Sequence, residues 1–329
     1  MDGDSFRDLV QLAVAVGIVL PLGLILSQPR GRMPGRGGLD FSGVLAAGHP
    51  PLPLGRVALR DGLELPVRRL EGPEGAPLVI ALHGSGWHGG QFDGLAPLLA
   101  RHADVVIPDL RGHGRAPGRR GDVDHIGQLE EDIVDLIGAF ARPGQKVVLL
   151  GHSSGGGLAV RFAGGAFGSR IHGAVLLAPY LGWKAPTARP ASGGWTRAMP
   201  RRMIGLGMLN ALRIHAFDRL TVLQLDMPEE VLNGPQRDLA RTAYSWRMVL
   251  SYGPRRDWTR DVAALPKFLL LAGEKDEAFR AGLYAPAMSA VTRRGDYHLL
   301  PGLGHLDLVE APPVAQLVGE FLDRIRNDD

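Results

Sequence analysis

Apolar residues in this chain fall mostly into short unbroken blocks rather than into strict alternation. Pro77–Leu82, Val105–Pro108, Lys146–Leu150, Val175–Ala178 and Phe268–Ala272 are such blocks, with Tyr297–Leu300 as a last, weaker one. Continuous apolar runs of this length predict strands covered on both faces. Between them the spacing turns helical. Ile126, Leu129, Ile133, Val134 and Ile137 predict a helix over 123–141, and further helices are expected over 91–101 and 313–326. Ahead of these, Asp61-Gly62 separates Gly55–Arg60 from Leu63–Leu70, a strong hairpin signal. Strands that alternate with helices predict an α/β fold, a mostly parallel sheet with helices on both faces.

Two stretches depart from this rhythm. Leu9–Ser27 carries no charge over nineteen residues, long enough to span a bilayer as a helix. A cleaved signal is disfavoured, because Asp2, Asp4 and Asp8 outnumber Arg7 before the run and no small-residue cleavage site follows it. The expectation is a single-pass N-terminal membrane anchor over 1–29. Arg30, Arg32 and Arg36 after it favour a cytoplasmic main body. Residues 30–53, rich in Gly, Pro and Arg, read as a linker. The second stretch, 182–265, contains no buried-strand block and is expected to form a helical cap, with helices over 203–214 and 237–252. That cap would divide the core into 54–181 and 266–329. The connection leaves the carboxyl ends of the strands, where open α/β sheets bind ligands, so the cap is expected over the site.

Composition narrows the chemistry. Of 329 residues, 45% are hydrophobic and 22% charged, as in a globular chain. A net charge of +3 is too balanced to suggest a nucleic-acid partner. The chain has no cysteine, which excludes disulfides, thiolate metal sites and a cysteine nucleophile.

The sharpest local signal is Gly151-His152-Ser153-Ser154-Gly155, set between the Lys146–Leu150 strand and a helix that opens at Gly156. A strand-to-helix turn this tight needs residues almost without side chains two places either side of its central serine. Centring on Ser153 puts Gly151 and Gly155 there, whereas centring on Ser154 would put His152 in the crowded position. Ser153 is therefore the candidate nucleophile.

Five segments now form an ordered set: LHGSG at 82–86, PDLRGHG at 108–114, GHSSGG at 151–156, LAGEKDE at 271–277 and GLGHLDL at 302–308. The chain resembles an α/β-hydrolase of the monoacylglycerol lipase/lysophospholipase-like group, which includes the serine aminopeptidase-like hydrolases. The resemblance spans about Leu54 to the C-terminus. It implies a Ser–Asp–His triad and carboxylic ester hydrolysis without a metal or organic cofactor. His305 stands where the chain order Ser…Asp…His needs its base, and His298 lies inside a strand. The family pattern puts the acid at Asp276, leaving Glu274 and Glu277 as solvated loop charges. Asp109 is expected to brace the RGHG loop, and His83 and His152 to shape theirs. The oxyanion hole is expected from the backbone N–H groups of Ser85 and Ser154. The mixed apolar and basic sequence of 195–213 suggests a lipid-like or long-chain ester, of monoacylglycerol or lysophospholipid type, met at a membrane. The same residues would also serve amide hydrolysis or acyl transfer, and the fold alone could serve a silent binding protein.

Overall fold

The computed structural model describes residues 5, 7, 8, 15–29, 31 and 38–328. Among the described residues, eleven strands follow in chain order. They are β1 (Leu54–Ala58), β2 (Glu64–Leu70), β3 (Leu78–Leu82), β4 (Asp104–Pro108), β5 (Val147–His152) and β6 (Gly173–Leu177), then β7 (Thr196–Ala198), β8 (Thr221–Leu225), β9 (Ala243–Ser245), β10 (Lys267–Gly273) and β11 (Gly295–Leu300). Eight of them form one sheet in the order β1-β2-β4-β3-β5-β6-β10-β11. β1 pairs antiparallel with β2, and β2 antiparallel with β4. Every later pairing, from β4–β3 to β10–β11, is parallel. The apolar blocks become β3 to β6, buried at every position. Each Leu, Ile or Val buried there stabilises the fold by about 1.5–3 kcal/mol relative to exposure. This is the mostly parallel α/β architecture expected from the sequence. The expected helix over 91–101 is instead a turn of 3-10 helix at Gly89–Phe92 and a short helix at Ala96–Leu99.

The segment between β6 and β10 is not purely helical. β7, β8 and β9 form a three-stranded antiparallel sheet beside the Pro200–Ala211 helix. In β8 only Val222 and Leu225 are buried. A half-covered sheet lacks the unbroken apolar run that marks core strands, which is why the pattern missed it. β9 also cuts short the helix expected over 237–252, leaving Trp246–Ser251.

The N-terminal apolar run corrects the expectation of a membrane anchor. No helix among the described residues is long and apolar enough to cross a membrane. The described helical part covers Ala15–Val19 and Leu20–Leu26, 5 and 7 residues. Residues 9–14 of the expected span lie outside the described residues. Ile25 instead packs with Leu206, Leu209 and Val222 in a small apolar cluster. Gly205 permits the approach, since a Cβ there would lie 2.6 Å from Pro21 O. Gln28 Oε1 accepts the N–H groups of Arg201 (3.1 Å) and Arg202 (3.3 Å), capping the Pro200–Ala211 helix. Within the described part of this run, Pro21 and Ile25 are buried in that protein contact.

Candidate active site

β5 delivers Ser153 to the carboxyl edge of the sheet, and the Ser154–Ala163 helix starts at the next residue. Ser153 has φ 54° and ψ −119°, a conformation that costs a non-glycine residue about 1–3 kcal/mol. Its surroundings hold it there. Ser153 N–H donates to Leu177 O at 2.9 Å, and Ser153 O accepts Gly157 N–H at 3.0 Å and Tyr180 N–H at 2.9 Å. The flanking glycines are sterically required. A Cβ at Gly151 would fall 2.3 Å from Gly155 O, and one at Gly155 would fall 2.1 Å from Leu82 O.

Asp276 follows the end of β10, and His305 sits in the loop after β11. They meet at 2.9 Å between Asp276 Oδ2 and His305 Nδ1, both almost fully buried. Asp276 Oδ1 accepts N–H groups from Ala278 (2.8 Å) and Phe279 (2.7 Å). Burial alone would raise the Asp276 carboxyl. The facing His305 and these N–H donors outweigh it and hold Asp276 below its ordinary value. An ionised Asp276 accepts a hydrogen bond from His305 Nδ1–H, which turns Nε2 away from the carboxylate. Ser153, His305 and Ser85 line one pocket. Ser153 Oγ makes no hydrogen bond to His305 among the described residues, and such contacts commonly tighten only with substrate bound.

The loop after β3 carries Ser85, whose backbone N–H the sequence suggests as an oxyanion donor. Gly84 N–H is taken by Gln91 Oε1 at 2.9 Å and Gly86 N–H by Tyr244 Oη at 2.6 Å. Ser85 N–H, between them, has no acceptor among the described residues. Ser85 Oγ and Ser154 Oγ share a hydrogen bond of 2.5 Å, which draws the two loops together.

Several positioning groups escaped the sequence reading. Gln91 Nε2 meets His152 Nδ1 at 2.5 Å, and His152 Nε2 meets His305 O at 3.0 Å. The roles follow from the acceptors. Gln91 donates to Nδ1, and Nε2–H donates to the His305 carbonyl. A continuous chain therefore runs from the Gly84 N–H through Gln91 and His152 to His305. It needs a neutral His152, and burial pushes that imidazole down to about 3. Tyr244 closes a second chain. Its hydroxyl accepts from Gly86 and donates to His113 Nε2 at 2.6 Å, while His113 Nδ1–H donates to Arg111 O at 3.0 Å. Burial raises the Tyr244 phenol and pulls His113 well down, so both stay neutral.

Glu277, expected as a solvated charge, accepts His305 N–H on Oε2 at 3.0 Å. Glu274 accepts an exposed Gly302 N–H at 3.2 Å. Asp109 accepts Gly89 N–H (2.9 Å), Arg115 N–H (2.8 Å) and Arg68 Nη1 (2.9 Å), so it ties the RGHG loop to the loop before Gln91. His83 Nε2 accepts Leu110 N–H at 3.1 Å, and His298 pairs with Asp296 at 3.1 Å, inside β11. No group of three or more His, Asp or Glu side chains converges as a metal site among the described residues.

Comparison with known proteins matches residues 79–317 to the Alpha/beta hydrolase family. Human monoglyceride lipase is 30% identical over 143 residues, covering 42% of this chain and 45% of that protein. The proline iminopeptidase PfmaB of Pestalotiopsis fici is 39% identical over 98 residues, covering 29% of this chain and 34% of that protein. The chain thus spans less than half the length of these two curated relatives. Among solved structures, the monoacylglycerol lipase of Paleococcus ferrophilus superposes with a TM-score of 0.59 at 21% identity, over 80% of this chain and 99% of that one, a likeness of fold. The family match covers well over half of the chain, which belongs to the α/β-hydrolase family.

Proposed function

We propose that the protein hydrolyses carboxylic esters through an acyl-enzyme on Ser153. The observation that carries this reading is the buried Asp276–His305 hydrogen bond beside a strained serine and an unpaired Ser85 N–H. His305 Nε2 takes the Ser153 proton as Oγ attacks the ester carbonyl. The N–H groups of Ser85 and Ser154 stabilise the oxyanion, and each such donor is worth about 10²–10³ in rate. His305 then protonates the leaving alcohol, and water releases the acid by the same steps.

The acyl donor we propose is a monoacyl lipid ester. One side of the pocket is apolar, with Phe41, Trp87, Trp195 and Leu306. Amide hydrolysis is the second reading, because an iminopeptidase is among the relatives. An aminopeptidase pocket needs a carboxylate to hold the substrate's ammonium group, and no Asp or Glu is among the lining residues. That favours the ester. In this reading the segment 182–265 acts as the cap, and it meets lipid surfaces through exposed Ile204 (57%) and Leu212 (52%) beside Arg201 and Arg213. Flotation with anionic vesicles tests that contact. The chemistry is tested by p-nitrophenyl butyrate turnover. Ser153→Ala is expected to abolish it and Ser154→Ala to leave it measurable, and normal turnover by Ser153→Ala would refute the mechanism.

A further inference from the structure

The space over Ser153 is small. Its cavity is about 20 Å³, room for about one water, whereas pockets that enclose drug-sized ligands measure about 300–1,000 Å³. The polar half of its wall is Gly84, Ser85, Gln91, His152, Ser153 and His305. Half of the apolar wall, Leu39, Phe41 and Val44, comes from residues 38–49, the stretch expected to be only a linker.

That stretch behaves as a strap across the site. Phe41 is 5% exposed, its ring 5.3 Å from that of Trp87 and 5.6 Å from that of Trp195. Backbone contacts fix its position. At Gly38 a Cβ would fall 2.2 Å from Trp195 N, so the strap lies directly on the chain after the Pro190–Gly194 turn. Asp40 N–H donates to Glu277 Oε1 at 3.0 Å. The other oxygen of that carboxylate accepts His305 N–H at 3.0 Å, so one side chain holds both the strap and the base loop. His49 Nε2 pairs with Glu310 Oε2 at 2.6 Å and anchors the far end.

We infer that Phe41 is the specificity-determining residue for acyl-chain length. This inference rests on the ester-hydrolase reading. The tetrahedral centre needs its oxygen toward Ser85 and its leaving group toward His305, so the chain must run along the apolar wall. Phe41 occupies that wall. With the strap in place a short acyl group reaches Ser153, and a long one enters only when the Phe41 ring leaves its seat between the two indoles. The strap's backbone anchors do not depend on the ring, so truncating the side chain opens space without releasing the strap.

The test compares kcat/KM for p-nitrophenyl laurate and p-nitrophenyl butyrate in the full chain, wild type against Phe41→Ala and Phe41→Leu. The readout is the laurate-to-butyrate ratio, which a general loss of activity or stability does not move. Phe41→Ala is expected to raise the ratio about tenfold or more, since each methylene accommodated in an apolar pocket is worth about tenfold or more. Phe41→Leu is expected to raise it less. An unchanged or lower ratio in both variants overturns the inference. Complete loss of both activities in Phe41→Leu overturns it too, by making Phe41 a structural requirement. If the wild type turns over neither ester and Ser153 takes no fluorophosphonate, it is the ester-hydrolase reading that fails.

Discussion

Gln91→Glu changes almost no volume and little shape, yet it breaks the hydrogen-bond chain that joins the Gly84 loop to the His305 loop. The carboxylate can still accept Gly84 N–H, now held at 2.9 Å. Its second oxygen then faces His152 Nδ1, the atom that Gln91 Nε2 contacts at 2.5 Å. Two acceptors cannot share that distance without a proton. If His152 moves its proton to Nδ1, Nε2 loses the donor that holds His305 O at 3.0 Å. One buried polar group is unsatisfied either way, at a cost of about 1–3 kcal/mol, or about 5- to 150-fold if expressed fully in kcat. A protonated His152 satisfies both partners. In the wild type burial holds that imidazole near 3, so it stays neutral at working pH. In the variant the new carboxylate raises it. The sign follows: the variant's hydrogen bonds are complete below the raised value and fail as pH rises through it, so its kcat should fall at high pH where wild type keeps its rate. Stopped-flow pH profiles with p-nitrophenyl butyrate read this directly. A Gln91→Glu profile that overlays the wild type in height and shape would refute the linkage.

Other outcomes follow from the same contacts. Gly155→Ala would put a Cβ 2.1 Å from Leu82 O and should abolish activity or soluble expression. Gly138→Ala, in the Gln128–Phe140 helix with nothing within 4 Å, should stabilise by about 0.5–1 kcal/mol in a urea melt. Burial pushes His83 down to about 4, His88 and His152 to about 3, and His113 well below its ordinary value. The unfolded chain therefore binds more protons than the native one below about pH 6.5, so stability should fall from pH 7 to pH 5, by at most about 2 kcal/mol for each of His83, His88 and His152. Thermal melts at the two values check this, and equal melting temperatures would contradict it. Tyr244→Phe removes the acceptor of Gly86 N–H and leaves His113 Nε2 without its donor, so kcat should drop by roughly tenfold with KM little changed.

The parts of this molecule legible in the sequence depend on local constraints. The unbroken runs that became β3 to β6 announce two-sided burial by themselves. Gly151 marks the register of the turn because its clashes, with Gly155 and Gly156, arise within the turn itself, whereas Gly155 is required by Leu82 and His83 of the neighbouring strand end. The illegible parts depend on partners far along the chain. Gln91 meets His152 61 residues away and Tyr244 meets Gly86 158 residues away, and no spacing announces such pairs. Glu277 was misread because its partners are backbone N–H groups, one of them 237 residues distant. Leu9–Ser27 is uncharged, but the same property suits a bilayer and packing on the Pro200–Ala211 helix, whose Gly205 lets Pro21 and Ile25 approach. The strap was hidden for a related reason. Its Gly- and Pro-rich surroundings read as linker, while Phe41 is buried by Trp87 and Trp195.

The central claim is that Ser153 is the nucleophile. Labelling the full chain with a fluorophosphonate and mapping the adduct by tandem mass spectrometry tests it most directly. One phosphonyl adduct is expected, on Ser153, lost in Ser153→Ala and strongly slowed in His305→Ala. An adduct on Ser154 or Ser85, or labelling that persists in Ser153→Ala, would contradict it.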